Sequence, residues 1–301
     1  MISKLPPTLR GVISISLVVM NTLFWAVPIH IFGLTKLLIH SDSWQRQCAK
    51  AIMFFGSCWI AGMNTIMRRT QPTRYDIEGL EGLSKNQWYF INCNHQSWAD
   101  ILILFITFHG TVPFLKFFIK KELFKVPVMG TAWWALDYPF MERFSKEYLK
   151  KNPHMKGKDM ETTRKACERY RHTPVSILNF IEGTRFTKEK HDRQESPYRH
   201  LLRPKAGGFA FALSAMDGKI SNILDVTIIY TQRPGSFWDY LCGRVDKISV
   251  KVKKMPVPQE FLGGDYQNDE VFRDRIQSWV SDLWQEKDNL IEEYKAQQQG
   301  R

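Results

Sequence analysis

A chain of 301 residues has room for one large domain or two small ones and can bury a sizeable core. Its formal net charge of +12 comes from 42 Lys and Arg spread along the whole sequence, which makes a basic face instead of a basic tail and suits nucleic acid, an anionic membrane surface or a phosphorylated substrate. The five cysteines, Cys48, Cys58, Cys93, Cys167 and Cys242, are odd in number, far apart and without C-x-x-C spacing; they argue against a disulfide frame and a zinc site and point to a reducing compartment.

From Gly11 to Thr35 the sequence GVISISLVVMNTLFWAVPIHIFGLT runs 25 residues without a formal charge, between Arg10 and Lys36. About 20 apolar residues cross a bilayer, so this segment is expected to enter the membrane. It is long for the apolar stretch of a signal peptide and no small-x-small pattern closes it. A buried core helix and a re-entrant or interfacial segment are the rival readings, and Asn21, Pro28 and His30 favour them. A second uncharged run, Ala51 to Met67, has 17 residues and reads as a short span or an interfacial helix. Basic residues lie on both sides of it, so the positive-inside rule gives no orientation. Residues 1–70 are therefore expected to form a hydrophobic membrane anchor, and 71–301 a globular domain.

Past Thr70 the texture is that of an α/β protein. Alternation over Gln87–Asn94, Thr111–Phe118, Val175–Ile181, Ile223–Tyr230 and Lys247–Val252 predicts strands. Helical spacing follows over Trp98–Phe108, around Met160–Tyr170 and over Gly208–Met216, and a last helix with an apolar packing face is expected over Val271–Tyr294. Strands interleaved with helices imply a mixed, largely parallel sheet covered by helices. The charge-rich Thr187–His200 reads as a mobile loop.

The junction FINCNHQSWADILIL, Phe90 to Leu104, sets one histidine and one aspartate between two apolar elements. If the strand ends at Asn94 and the helix starts near Trp98, Ser97 is an N-cap and Asp100 the N3 residue of an S-x-x-D capping box. That leaves His95 unexplained. A carboxylate one helical turn away can hold the imidazole by one nitrogen and leave the other to take a proton from a hydroxyl. There is no G-x-S-x-G, so a hydrolase with a nucleophile elbow is disfavoured. Neither a ligand cluster for a metal nor a G-x-G-x-x-G turn after a strand is present, so no metal and no bound cofactor are expected.

NHQSWAD resembles the N-H-x-x-x-x-D block of the glycerolipid acyltransferases that acylate lysophosphatidic acid and its relatives. KKELFKVPVMG (Lys120 to Gly130) with YPFMER (Tyr138 to Arg143) resembles that family's second block, NFIEGTR (Asn179 to Arg185) its F-x-E-G-T-R block, and LLRPKAGGFAFAL (Leu201 to Leu213) with LDVTIIY (Leu224 to Tyr230) its last block. The departure is in that last block, where many bacterial members carry a V-P-V-like run. DVTIIY and the EKDNLIEEY ending look more like the subgroup with the lysocardiolipin and related lysophospholipid acyltransferases.

The resemblance implies an acyltransferase-like fold and transfer of a fatty acyl group from acyl-CoA or acyl-carrier protein to the free sn-2 hydroxyl of 1-acyl-glycerol-3-phosphate, giving phosphatidic acid. Lysophosphatidylglycerol and lysocardiolipin are the alternative acceptors. Carried over residue by residue, His95 is the general base and Asp100 its orienting partner. Glu182, Gly183, Thr184 and Arg185, with Arg143, bind the acceptor phosphate. The competing structural readings are a turn in which Arg185 pairs with Glu182 and a solvated strand-end Arg143. Lys120, Lys121 and Lys125 belong to the basic face that attracts an anionic leaflet or donor. Two other classes compete: a nucleic-acid-binding protein, against which stand the membrane segment and the lack of any helix-turn-helix, zinc-finger or RNP-like pattern, and a membrane-anchored basic binding protein without activity. The expected location is a bacterial cytoplasmic membrane with the catalytic domain facing the cytoplasm.

Overall fold

The β-branched and aromatic runs fold as strands where the alternation places them. A computed structural model describes residues 5–141, 151–152, 167, 170, 173–216, 218–232, 234–266 and 268–299. The strands are β1 (Arg74–Glu78), β2 (Tyr89–Cys93), β3 (Leu115–Phe117), β4 (Ile119–Lys120), β5 (Phe140–Met141), β6 (Ser176–Phe180), β7 (Asn222–Tyr230) and β8 (Lys247–Pro256). Six of them form one sheet in the order β1-β8-β7-β2-β6-β3, while β4 and β5 pair separately. Only the β7–β8 pairing in the large sheet is antiparallel. The central strand β2 is buried at every residue, as expected of a parallel strand with both faces covered. The edge strand β1, outside the expected set, alternates Arg74, Asp76 and Glu78 with Tyr75 and Ile77, a charge pattern that protects an edge from further pairing.

Helices cover both faces. Tyr89, Ile91 and Cys93 point to one side, where they meet Ile60, Met63 and Met67 of α2 (Asp42–Thr70) and the apolar helix α3 (Ala99–Phe108). Phe90, Ile177 and Ile223 point to the other, under α6 (Gly207–Ala215) and the 30-residue α8 (Glu270–Gln299). Short helices α4 (Met129–Ala135), α5 (Lys188–Arg193) and α7 (Phe237–Leu241) complete the described set. Thr187–His200, expected as a mobile loop, holds α5 and is tied down: Thr187 caps the helix by accepting from Lys190 N, and Ser196 Oγ donates to Leu201 O at 2.7 Å. The helical pattern around Met160–Tyr170 lies almost wholly outside the described residues.

Helix α1 (Pro7–Leu38) is, among the described residues, the one helix long and apolar enough to cross a membrane. It pairs with α2 as an antiparallel hairpin: Asn21 Nδ2 donates to Trp59 O at 3.0 Å and the Phe32 ring meets that of Phe55. It also touches the α/β unit at both ends. Arg10 Nη1 donates to Cys242 O at 3.2 Å, His30 Nε2 meets Thr131 Oγ1 at 2.6 Å, and Lys36 pairs with Asp137 at 3.0 Å. The helix therefore lies along the domain instead of standing clear of it, with Phe24, Val27, Ile31 and Leu38 exposed on its outer side. The 51–67 run belongs to α2, whose Cys48, Ile52 and Met67 are buried against the rest of the protein.

Candidate active site

The turn after β2 is shaped by side chains that replace the strand's missing backbone bonds. Asn94 Nδ2 donates to Ile228 O at 2.9 Å while Asn94 Oδ1 accepts from Ile228 N at 2.8 Å. That double bond ends the β2–β7 ladder and leads the chain into His95. Its Nδ1 lies 2.8 Å from Asp100 Oδ2. The same oxygen accepts from Gln96 N at 2.6 Å and Ser97 N at 2.8 Å, and Asp100 Oδ1 accepts from the Tyr230 hydroxyl. Asp100 is fully buried.

Asp100 therefore bonds both the backbone before the helix and the imidazole of His95, with one shift from the expected cap. Helix α3 begins at Ala99, one residue later than expected, and the hydroxyl of Ser97 accepts from Ala99 N at 3.3 Å instead of closing a reciprocal box. A carboxylate that only accepts fixes the imidazole with its proton on Nδ1. His95 Nε2 has no partner among the described residues and carries the free lone pair. The imidazole is clamped flat on Phe180, with ring centroids 4.0 Å apart and planes at 17°. Because Asp100 takes the amides of Gln96 and Ser97, those two N–H groups are not available as oxyanion donors.

The EGTR turn follows β6 directly. Gly183 has φ +71°, a conformation open to glycine at little cost, and its N–H donates to Phe180 O at 2.8 Å. Phe186 N donates to His95 O at 2.7 Å, so the turn is fastened to the one that carries the histidine. Thr184 Oγ1 accepts from Lys190 Nζ at 2.7 Å, and Lys190 also reaches Arg185 O at 3.0 Å. Arg185 has no carboxylate partner among the described residues; its guanidinium lies 4.7 Å from the centre of the Trp98 ring. The alternative in which Arg185 pairs with Glu182 is not what forms.

Glu182 stands apart from its neighbours. It is fully buried and neither carboxyl oxygen has a hydrogen-bond partner in bonding geometry. Burial, and then the charge of Asp100, push its carboxyl well above the usual carboxylate range, and Lys287 with the backbone amides of His95 and Leu202 offsets this only in part. Full burial sets Glu182 apart from Thr184 and Arg185 of the same turn, which are only partly buried. Burial and the charge of Asp100 likewise raise the Tyr230 hydroxyl, which stays a donor at neutral pH. Lys120, Lys121 and Lys125 are exposed. Arg143 lies outside the described residues.

Sequence reasoning missed Tyr230, Phe180, Trp98 and Lys190. Tyr230 closes a strand that was correctly placed, but nothing local marks its hydroxyl as a partner of Asp100. Lys190 lay in the stretch read as a loop.

The Acyltransferase family model matches residues 74–231. The 1-acyl-sn-glycerol-3-phosphate acyltransferase gamma of Mus musculus is 28% identical over 197 residues, 62% of this chain and 47% of the relative. The 1-acyl-sn-glycerol-3-phosphate acyltransferase 3 of Arabidopsis thaliana is 27% identical over 234 residues, 73% of this chain and 56% of the relative. The chain thus spans about half the length of the curated relatives it matches. The crystal structure of the 1-acyl-sn-glycerophosphate (LPA) acyltransferase PlsC from Thermotoga maritima aligns with 91% of this chain and 98% of its own, at 16% identity and a TM-score of 0.47. The family match runs from the first residue of β1 to the residue after β7, more than half of the sequence, and takes in every strand of the large sheet except β8. On that coverage the chain belongs to the Acyltransferase family.

Proposed function

We propose that this chain moves a fatty acyl group from a thioester, acyl-CoA or acyl-carrier protein, to the free sn-2 hydroxyl of 1-acyl-glycerol-3-phosphate. The observation that carries this reading is the His95–Asp100 pair at 2.8 Å, with Nε2 unpartnered beside a turn that presents Arg185. Nε2 takes the hydroxyl proton as the oxygen attacks the thioester carbonyl. Asp100 stabilises the imidazolium, and collapse breaks the C–S bond and returns the proton to the leaving thiolate. A new ester and a free thiol result, and no serine nucleophile is needed. Arg185 is assigned to the acceptor phosphate by charge-assisted bonds; Lys190, held beside Thr184, adds positive charge to the same turn. The exposed apolar side of α1, continuous with its contacts along the domain, supports a site held against one leaflet, where a lipid acceptor reaches it from the bilayer. A soluble thioester donor is in keeping with a catalytic domain that faces the cytoplasm.

The test is an acyl-transfer assay of the purified chain with labelled acyl-CoA and acyl-carrier protein against lysophosphatidic acid, lysophosphatidylglycerol, lysocardiolipin and monoacylglycerol. Preference for lysophosphatidic acid supports the reading. Preference for a phosphodiester acceptor shifts the substrate to the lysocardiolipin-like class, and no transfer to any of them overturns it.

A further inference from the structure

Two contacts to rings join the turn after β2 to the end of β6 and the turn that follows it. The first, His95 on Phe180, orients the base. The second, Arg185 over Trp98, has no role in the proton transfer. Trp98 is 54% exposed and sits at the N-cap of α3 without making a side-chain cap bond. An N-cap is favoured ground for Ser, Thr, Asp or Asn, not for a large ring left in water. Neither core packing nor capping explains the indole, which gives its face to the Arg185 guanidinium.

An unheld arginine spreads over many rotamers, and only some aim its planar fork at one point. Holding the guanidinium carbon over an indole confines the group and leaves N–H donors at its rim free. No carboxylate competes for those donors among the described residues. The platform is itself fixed: Asp100 Oδ2 accepts from the amides of Gln96 and Ser97 at 2.6 and 2.8 Å, so the carboxylate that orients His95 also sets the backbone from which Trp98 rises. We infer that Trp98 is a positioning residue that aims Arg185 at the phosphate of the acceptor and thereby sets the preference for a phosphate-monoester substrate. This rests on the reading of Arg185 as the acceptor-phosphate ligand.

The test uses the full chain, steady-state acyl transfer to 1-acyl-glycerol-3-phosphate and four variants: Trp98→Leu, Trp98→Tyr, Arg185→Ala and the double variant Trp98→Leu with Arg185→Ala. A cation–π contact at an exposed site corresponds to about two- to fivefold in an equilibrium constant. Trp98→Leu should therefore raise the acceptor KM by about that factor, with kcat and the donor KM unchanged, and Trp98→Tyr should recover most of the loss. In the Arg185→Ala background the Trp98→Leu effect should vanish, because both act through one contact. If Arg185→Ala raises the acceptor KM while Trp98→Leu does not, or if the Trp98→Leu effect persists undiminished without Arg185, the positioning role falls and the acceptor reading stands. If Arg185→Ala leaves the acceptor KM unchanged, the acceptor reading falls and this inference with it. Trp98→Tyr matching Trp98→Leu in KM also overturns the role, since a retained aromatic face should serve.

Discussion

Asp100 accepts from four donors at once: His95 Nδ1, the amides of Gln96 and Ser97, and the Tyr230 hydroxyl. An asparagine cannot satisfy all four, because its amide nitrogen only donates, and each buried group left unpaired costs about 1–3 kcal/mol. Asp100→Asn is expected to lower the melting temperature and to cut kcat by at least about a hundredfold, measured on one preparation. His95→Ala should cost about 0.5–1.5 kcal/mol for the lost stack on Phe180 yet reduce kcat by about 10²- to 10⁴-fold. Near-normal turnover in a folded His95→Ala protein would end the mechanism. Glu182 gives a contrasting expectation. Its raised carboxyl keeps its proton in the folded state after the unfolded chain has lost it, so stability declines as pH rises above the unfolded value of 4.5. Glu182→Gln should remove that decline, leave the acceptor KM unchanged and hold its melting temperature at neutral pH; a raised acceptor KM would return Glu182 to the substrate site.

Helix α8 lies outside the family match but reaches into the sheet beneath the site. Lys287 Nζ, fully buried, pairs with Asp225 Oδ2 at 3.0 Å and donates to Val226 O at 2.6 Å, while Asp225 Oδ1 accepts from Asn92 of β2 at 3.0 Å. Further along, Asp288 accepts from Arg199 N and His200 N at 2.8 Å each, which fixes the segment after the EGTR turn. Removing one partner of a buried pair leaves an uncompensated charge and typically costs 3–5 kcal/mol. Lys287→Met should destabilise the protein by about that much, and adding Asp225→Asn should recover part of it, because the stranded carboxylate is then gone. Denaturant unfolding of the two variants decides this; a neutral Lys287→Met would show that the pair is dispensable. The amphipathic pattern foretold that α8 packs, but Lys287 looked like one of many charges on its solvated side.

At the scale of the molecule, α1, α2 and α4 meet the sheet over Lys116. This lysine of β3 is buried, donates to Leu136 O and is ringed by Phe114 and Tyr138, with Nζ 5.0 and 4.9 Å from their centres. Burial lowers its pKa from 10.5 to about 7; nearby Asp137 opposes the shift and Lys36 adds to it. Below about pH 7 both folded and unfolded chains carry this proton, and the cost of the buried charge is constant. Between about 7 and 10.5 the unfolded chain still holds a proton that the folded chain has released, so stability rises with pH, by on the order of 1.4 kcal/mol per unit. The expected observation is a slope of stability against pH between 7 and 9 that is more positive in the native sequence than in Lys116→Met. Equal slopes would mean that the ammonium stays protonated in place.

The sequence by itself determined what depends on neighbours along the chain. Alternation located β2, β6, β7 and β8, apolar spacing located α3 and α8, and the short step from His95 to Asp100 keeps the pair together because the tight turn between β2 and α3 folds the histidine back onto the first turn of the helix. The order of four short blocks was enough to show a family resemblance. What only the tertiary structure decided are contacts that depend on crossovers and register. The parallel register that sets Cys93 opposite Val226 carries Tyr230 to the turn after β2, and the β2–β6 pairing sets Phe180 and Arg185 beside His95 and Trp98. The burial of Glu182 and the docking of both ends of α1 are of the same kind. No local propensity encodes them, because each joins residues whose distance is fixed by how the strands and helices pack, not by their separation along the chain.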